Sequence, residues 1–425
     1  IITIPVVVHV IHNGEPVGTA PNITDAQVES QITVFNQDFR KMINTPGYNT
    51  NPVGADIQIQ FALAKQDPNG NPTNGIHRVN LCQVSWSEAA IENTVKPTTI
   101  WDATLYMNMW SVKFSDPDLL GYAQFPQTNL SGLAGQGGSS NTDGVVCNYA
   151  TFGSSDFNDG TFLTSAPFDK GRTMTHEVGH YLGLLHTFQG GCSNAAGDYC
   201  LDTPASASAT TGCPTNRNSC TTLSGNDMVE NYMDYSYDTC MNIFTNDQKA
   251  RIATVLANSV NRSTLATSTK DQPITLFAND AEVIVEGSCN GAVASSCTPP
   301  PPAVQKITIY NRGSAALTSA SISYSVNGGT ASTYNWTGIL STHNFATVTL
   351  SMSGITSGSF TATIINANGV VDQRPSNNTG SGNYYAPSTP TNYTFNSLRF
   401  NLIGDRFGNE TTWNLKNSAG TTLYS

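Results

Sequence analysis

Charge is scarce in this chain. Of 425 residues only 12% are Asp, Glu, Lys or Arg, and 19 basic residues face 30 acidic ones. The formal net charge of -11 argues against nucleic acid as a partner, because neutralising a phosphate backbone takes a clustered basic surface. Long apolar runs are missing too: none approaches the ~20 residues that a membrane helix needs. The opening IITIPVVVHVI is broken by Pro5 and reads as a buried strand. The nine cysteines contain no CxxC pair, which removes the zinc-ribbon class. Five of them fall between Cys192 and Cys240, a clustering that suits the disulfides of an exported protein. Their odd number leaves at least one thiol unpaired or bonded outside the chain. The first residue is Ile1 and no signal segment is visible, so a processed mature form is expected.

What is present is Gly, Ser, Thr and Asn, the texture of β-rich extracellular proteins, in a length that suits about two to four domains. Strand and helix signals alternate at first. PVVVHVIH and TLYMNMWSV read as buried strands, and DIQIQFALAK alternates with Ile57, Ile59, Phe61 and Leu63 inward. ITDAQVESQITVFNQDF reads as a helix with Val28, Ile32, Phe35 and Phe39 on one stripe. Thr24 caps it, Gln27 is expected to reach back in a capping box, and Ile23 and Val28 fit the hydrophobic staple. DPNGNPTNG is a loop. Beyond residue 268 the pattern changes to short strands split by Gly, Asn and Ser: KITIYN, SISYSV, ATVTLSM and FTATII. Such spacing predicts a β-sandwich. TPPPPAV is either a stiff bridge between strands or the linker itself. The expected division is 1–268, a mixed α/β domain; 269–385, an immunoglobulin-like sandwich; and 386–425, a short β-rich segment, the start of a further domain.

Only seven histidines occur, and three lie in TMTHEVGHYLGLLHTF. His176 and His180 are four apart, so on a helix both imidazoles share one face and can reach one ion. Glu177 stands beside the first and can activate a metal-held water. On a straight helix His186 would lie roughly 15 Å along the axis from His176. Gly183 can take positive φ, end the helix and bring His186 back from another direction. Three nitrogens leave the fourth zinc position to water, as in catalytic sites.

HEVGHYLGLLH resembles the long zinc motif of the metzincin metalloproteases. PVVVHVIHNG, ITDAQVESQITVFNQDF, LLGYAQFP and NYMDYSYDTCMNIFTNDQ are similar to the pappalysin family, in its short bacterial branch, over roughly residues 1–265. The resemblance implies a mixed twisted sheet with an active-site helix, and hydrolysis of internal peptide bonds by a secreted or surface-held bacterial protein. It implies Met233 in the turn beneath the metal and Tyr235 beside it, binding the metal or stabilising the oxyanion. It also implies disulfides Cys192–Cys220 and Cys213–Cys240, and calcium near the site, with Asp198, Asp202 and Thr203 as ligands. Cys289–Cys297 is expected as a third bridge, and at most two of Cys82, Cys147 and Cys200 can pair with each other. LLGYAQFP alone could be a core strand. The resemblance makes it the edge strand along which substrate lies, through Gly121, Tyr122 and Ala123. The pocket after the cut is expected around Asp238 and Thr239. Relatives that take arginine there place an acidic residue directly before the turn's cysteine; here Thr239 holds that position, and the preference stays open.

KITIYNRGSAALTSASISYSVNGG resembles CARDB-like immunoglobulin-type domains of bacterial surface proteins. A second reading is therefore a surface binding or adhesion protein in which the β domains act, contacting a cell surface or glycan. Spacer or stability module is the plainer role for that tail.

Overall fold

The computed structural model describes residues 1–193, 197–287, 289, 303–387, 413–417 and 420–424. The first part of the chain supplies β1 (Ile2–His12), α1 (Asp25–Phe39), β2 (Ile59–Leu63), β3 (Ile76–Asn80), α2 (Glu88–Ala90), α3 (Lys96–Thr99), β4 (Met107–Val112), β5 (Gly121–Ala123), β6 (Val145–Asn148), α4 (Arg172–Tyr181), α5 (Asn246–Asn258) and α6 (Val260–Leu265). The strands form one mixed sheet in the order β2-β1-β4-β6-β5, with β3 also pairing with β1. β1 runs parallel to β2, β3 and β4, and β6 runs parallel to β4. Only β5 is antiparallel, at the edge beside β6. β1 is covered on both faces, which is why it reads as a near-continuous apolar run.

Thr24 caps α1 by accepting the Gln27 backbone N–H at 3.2 Å. The expected return half of the capping box does not form. The Gln27 side chain is fully buried and donates to the Tyr149 and Phe152 carbonyls instead. A buried amide is worth more holding otherwise unpaired loop carbonyls than an N-cap amide near water. The stripe Val28, Ile32, Phe35 and Phe39 packs as expected, with Phe61 and Phe244 against Phe39. Ser259 is extended and separates α5 from α6.

Eight further strands make two facing antiparallel sheets. They are β7 (Ala281–Val285), β8 (Val304–Asn311), β9 (Leu317–Val326), β10 (Ser332–Leu340), β11 (Phe345–Ser351), β12 (Gly358–Ala367), β13 (Val370–Val371) and β14 (Thr379–Tyr384). One sheet has the order β10-β9-β12-β13 with β14 also on β12, and the other β11-β8-β7. Val283, Ile307, Ile309 and Leu350 from one sheet meet Ile322, Trp336, Phe360, Ile364 and Tyr384 from the other in a separate core. Near the end, β15 (Leu415–Lys416) pairs with β16 (Thr422–Tyr424). The segment YTFNSLRFNLIGD, the proline run 299–302 and Cys297 lie outside the described residues.

Disulfides Cys192–Cys220 and Cys213–Cys240 are present. The expected Cys289–Cys297 bridge is not: Cys289 is bonded to Cys82, 207 residues away. The chain leaving β3 and the chain leaving β7 pass side by side there, and a Cβ on Gly287 would stand 2.7 Å from the Asn80 carbonyl oxygen. Ser376 also donates to Asn71 at 2.7 Å, and the Arg78 guanidinium lies 5.9 Å from the Phe345 ring centre. Cys147 and Cys200 are free and buried.

Candidate active site

α4 is held in place by buried charge. Arg172 pairs with Asp38 of α1 at 3.1 Å, and the Thr175 hydroxyl donates to the same carboxylate at 2.8 Å. Gly171 starts the helix at φ +79 with no side-chain cap of its own. The Asp238 carboxylate stands in, accepting the Lys170 and Arg172 backbone N–H groups at 2.8 and 3.2 Å. An acidic group there also meets the positive end of the helix dipole.

The helix ends as the sequence requires. Gly183 has φ +94, its N–H donates to the His180 carbonyl, and the Leu184 N–H donates to the Gly179 carbonyl. These two bonds are a Schellman cap. A Cβ at Gly183 would meet Val255 at 2.6 Å, so both backbone angle and space demand glycine. Beyond the turn His186 folds back. One ligating nitrogen from each of His176, His180 and His186 lies within 4.8 Å of the others. Among the described residues this is the one such cluster of three or more potential metal ligands.

His176 Nδ1 faces the Tyr232 carbonyl at 2.7 Å, and His180 Nδ1 faces the Leu184 carbonyl at 2.8 Å. Each Nδ1 therefore carries the proton and leaves the Nε2 lone pair for the cluster centre. Burial lowers all three imidazole pKa values, that of His180 to about 4 and that of His186 to about 3. They are neutral, as ligands must be. The donor set fits a tetrahedral metal with one open position.

Beneath the cluster lies fully buried Met233. Gly179 makes room for it, since a Cβ there would stand 2.3 Å from the Met233 sulfur. Asn231 fixes this turn by accepting the Met233 N–H and exchanging amide bonds with Gln248 of α5. Tyr235, half-exposed, places its ring 5.5 Å from His176 and 4.9 Å from His186. Glu177 is buried, and burial pushes its pKa up to about 8. A cation at the cluster would favour its charged form.

Glu177 and Tyr235 open onto a cavity of about 280 Å³ lined also by Leu119, Gly121, Thr173, Asp238 and Met241. β5 runs close beside Glu177: a Cβ on Gly121 would come within 3.1 Å of its Cγ. Asn148 donates to the Leu120 carbonyl and Gln124 donates to the Gly144 carbonyl. In this alternation Tyr122 pairs inward with Val146, so the backbone groups of Gly121 and Ala123 face the free edge. The Tyr122 side chain does not line the cavity. Its hydroxyl donates to Glu92 at 2.7 Å, anchoring the strand from behind.

Asp238 floors the cavity and burial raises its pKa to about 6. Thr239 does not line it. The single turn Asp238–Cys240 aims successive side chains apart, and Thr239 is exposed beside Cys213. The candidate calcium ligands divide. Asp198 accepts the Thr203 hydroxyl at 2.7 Å, whereas Asp202 accepts the Asp247 N–H at the start of α5. Burial holds Asp198 up at about 6.

Two arginines that the sequence did not single out brace the turn. Arg251 donates to the Gly183 carbonyl at 2.7 Å. Arg262 donates to the carbonyls of Tyr181 and Gln124 and pairs with buried Asp143 at 2.5 Å. Their partners are 68 to 138 residues away, so no local pattern marks them.

Residues 90–257 match the Peptidase_M43 family, described as Pregnancy-associated plasma protein-A. An extracellular metalloprotease of Neurospora crassa is 40% identical over 215 residues, which cover 50% of this chain and 65% of that protein. Its counterpart in Verticillium alfalfae is 37% identical over 251 residues, covering 59% of this chain and 74% of that one. The chain thus spans just under two thirds of the Neurospora relative's length. Mature mirolysin of Tannerella forsythia, solved with a cleaved peptide, superposes with a TM-score of 0.53 at 40% identity, covering 62% of this chain and 95% of that one.

Proposed function

Because this chain belongs to the pregnancy-associated plasma protein-A family of metallopeptidases, we propose that it is a zinc-dependent endopeptidase. The convergence of His176, His180 and His186 beside buried Glu177 carries the reading. Zinc bound there would lower the pKa of a water and polarise the scissile carbonyl. Glu177 would act as general base on a water held beside it and later as general acid toward the leaving amine. Its buried position keeps solvent from competing for that proton. Tyr235 donates its hydroxyl hydrogen to the developing oxyanion. Gly121 and Ala123 hold an extended substrate by adding it to the sheet edge. The side chain after the cut enters the cavity above Asp238.

Calcium is proposed at the loop of Asp198 and Thr203, with backbone carbonyls completing the oxygen set that this ion requires. We take residues 1–268 as the catalytic domain, 269–385 as the sandwich and 386–425 as a separate short segment. Two separate apolar cores support the first division. A place outside the cell agrees with three disulfides among the described residues and with relatives named extracellular. Family and site weigh against adhesion as the main role, and contact with a cell surface or glycan is left to the sandwich as a secondary one.

Elemental analysis of the purified protein together with a casein digest tests the reading. One zinc per chain and activity lost to a chelator and restored by zinc are expected. Full activity in a protein free of zinc would refute it.

A further inference from the structure

The three histidines are not held alike. Backbone carbonyls fix the rings of His176 and His180 through Nδ1. His186 has its Nε2 3.0 Å from the Nε2 of His180, but among the described residues its Nδ1 has no hydrogen-bond partner. It also sits outside the helix, after the turn at Gly183. Its backbone is anchored on either side, by Thr187 N–H on the Met233 carbonyl and by Gln189 N–H on its own carbonyl. No hydrogen bond at Nδ1 therefore sets its χ1 and χ2, and on the cluster side it meets the rings of His180 and His176 at 4.5 and 5.1 Å. What bounds it is aromatic. The Phe188 ring lies parallel to it, 9° apart in plane and 4.6 Å between centres. Tyr235 closes on it edge-on at 4.9 Å, and Phe188 in turn meets Tyr235 at 5.2 Å and 71°.

We propose that Phe188 is a positioning residue for the third metal ligand. It supplies by stacking the orientation that the other two histidines receive from hydrogen bonds. The inference rests on the zinc reading above. An offset aromatic pair contributes about 0.5–1.5 kcal/mol beyond burial, equivalent to about two- to tenfold in a dissociation constant. Of the three rings, that of His186 would swing away most readily, and its stacking on Phe188 would limit that motion. Phe188 packs on the Tyr235 ring as well, so it also bounds that ring beside the ligand set.

The test compares wild type, Phe188→Leu and Phe188→Tyr in their metal-free and zinc-loaded forms. Zinc release is followed with a chromogenic chelator, and the visible spectrum is recorded after cobalt(II) substitution. Phe188 is only partly buried, so the metal-free variants should melt with wild type. Phe188→Leu is expected to release zinc about two- to tenfold faster and to shift the cobalt bands, with Phe188→Tyr matching wild type on both. A wild type that takes up no zinc would overturn this inference and the zinc reading together. Normal wild-type uptake, with release and spectrum unchanged in Phe188→Leu, would overturn the role of Phe188 alone. So would a Phe188→Tyr variant as impaired as Phe188→Leu.

Discussion

Gly183 and Gly179 show how little a residue need do to be indispensable. One turns the backbone at φ +94, and the other leaves space for the Met233 sulfur. Gly183→Ala adds a left-handed strain of about 1–3 kcal/mol to a clash with Val255. We expect reduced stability in urea and weaker zinc retention; an alanine variant equal to wild type in both would contradict the account of the turn. At this scale the sequence was legible where chemistry is local. His176, Glu177, His180, Gly183 and His186 fall within eleven residues, and their spacing alone requires a helix that ends and folds back. Side-chain direction was harder to read. Tyr122 and Thr239 lie in the right segments, yet they point away from the cavity, because pairing register and turn geometry set the direction.

Elements explain how the site stays rigid. α5 and α6 contribute no candidate ligand, but Arg251 and Arg262 reach from them to the last turn of α4 and to the end of β5. The Arg262–Asp143 pair is almost wholly removed from water. Arg262→Met would leave the buried Asp143 carboxylate without its cation, with only the Asn261 amide donating to it, and is expected to cost about 3–5 kcal/mol. Pairing it with Asp143→Leu should recover much of that loss in chemical denaturation. Equal stability of the single variant and wild type would rule out this bracing. The strands were readable because alternation and apolar runs report burial directly. The helical stretch through Ile91–Val95 was not, since its π turn and Pro97 blur the 3.6-residue period. The break at Ser259 leaves no local signal, because the apolar spacing continues through it.

At the scale of the whole molecule, the sandwich is fastened at β3, on the side of the catalytic sheet opposite β5. Cys82–Cys289 joins points 207 residues apart, and sequence could not reveal it, because local spacing favours the nearer Cys297. Removing both cysteines as serines is expected to cost about 2–5 kcal/mol and to open the junction to limited proteolysis; an unchanged melting temperature would contradict this. Beside the junction, burial and then the nearby Arg78 cation lower the pKa of His12 from 6.5 to about 4. Between those values the unfolded chain gains a proton that the native protein refuses, so stability falls as pH falls through that window. A difference of 6.5 − 4 = 2.5 at ~1.36 kcal/mol per pH unit bounds the effect at about 3 kcal/mol. His12→Asn should flatten that part of the denaturation profile; an equally steep acid loss would assign it to other groups. The proposed function requires buried Glu177 to move the proton in peptide-bond hydrolysis at a three-histidine metal site. Mass spectrometry of peptides from a denatured protein, digested by zinc-loaded wild type and by zinc-loaded Glu177→Gln, tests it most directly. Internal cleavage by wild type is expected, with a fall of about 100-fold or more in the variant and its zinc content unchanged. Cleavage at the same sites and rates by Glu177→Gln would contradict it.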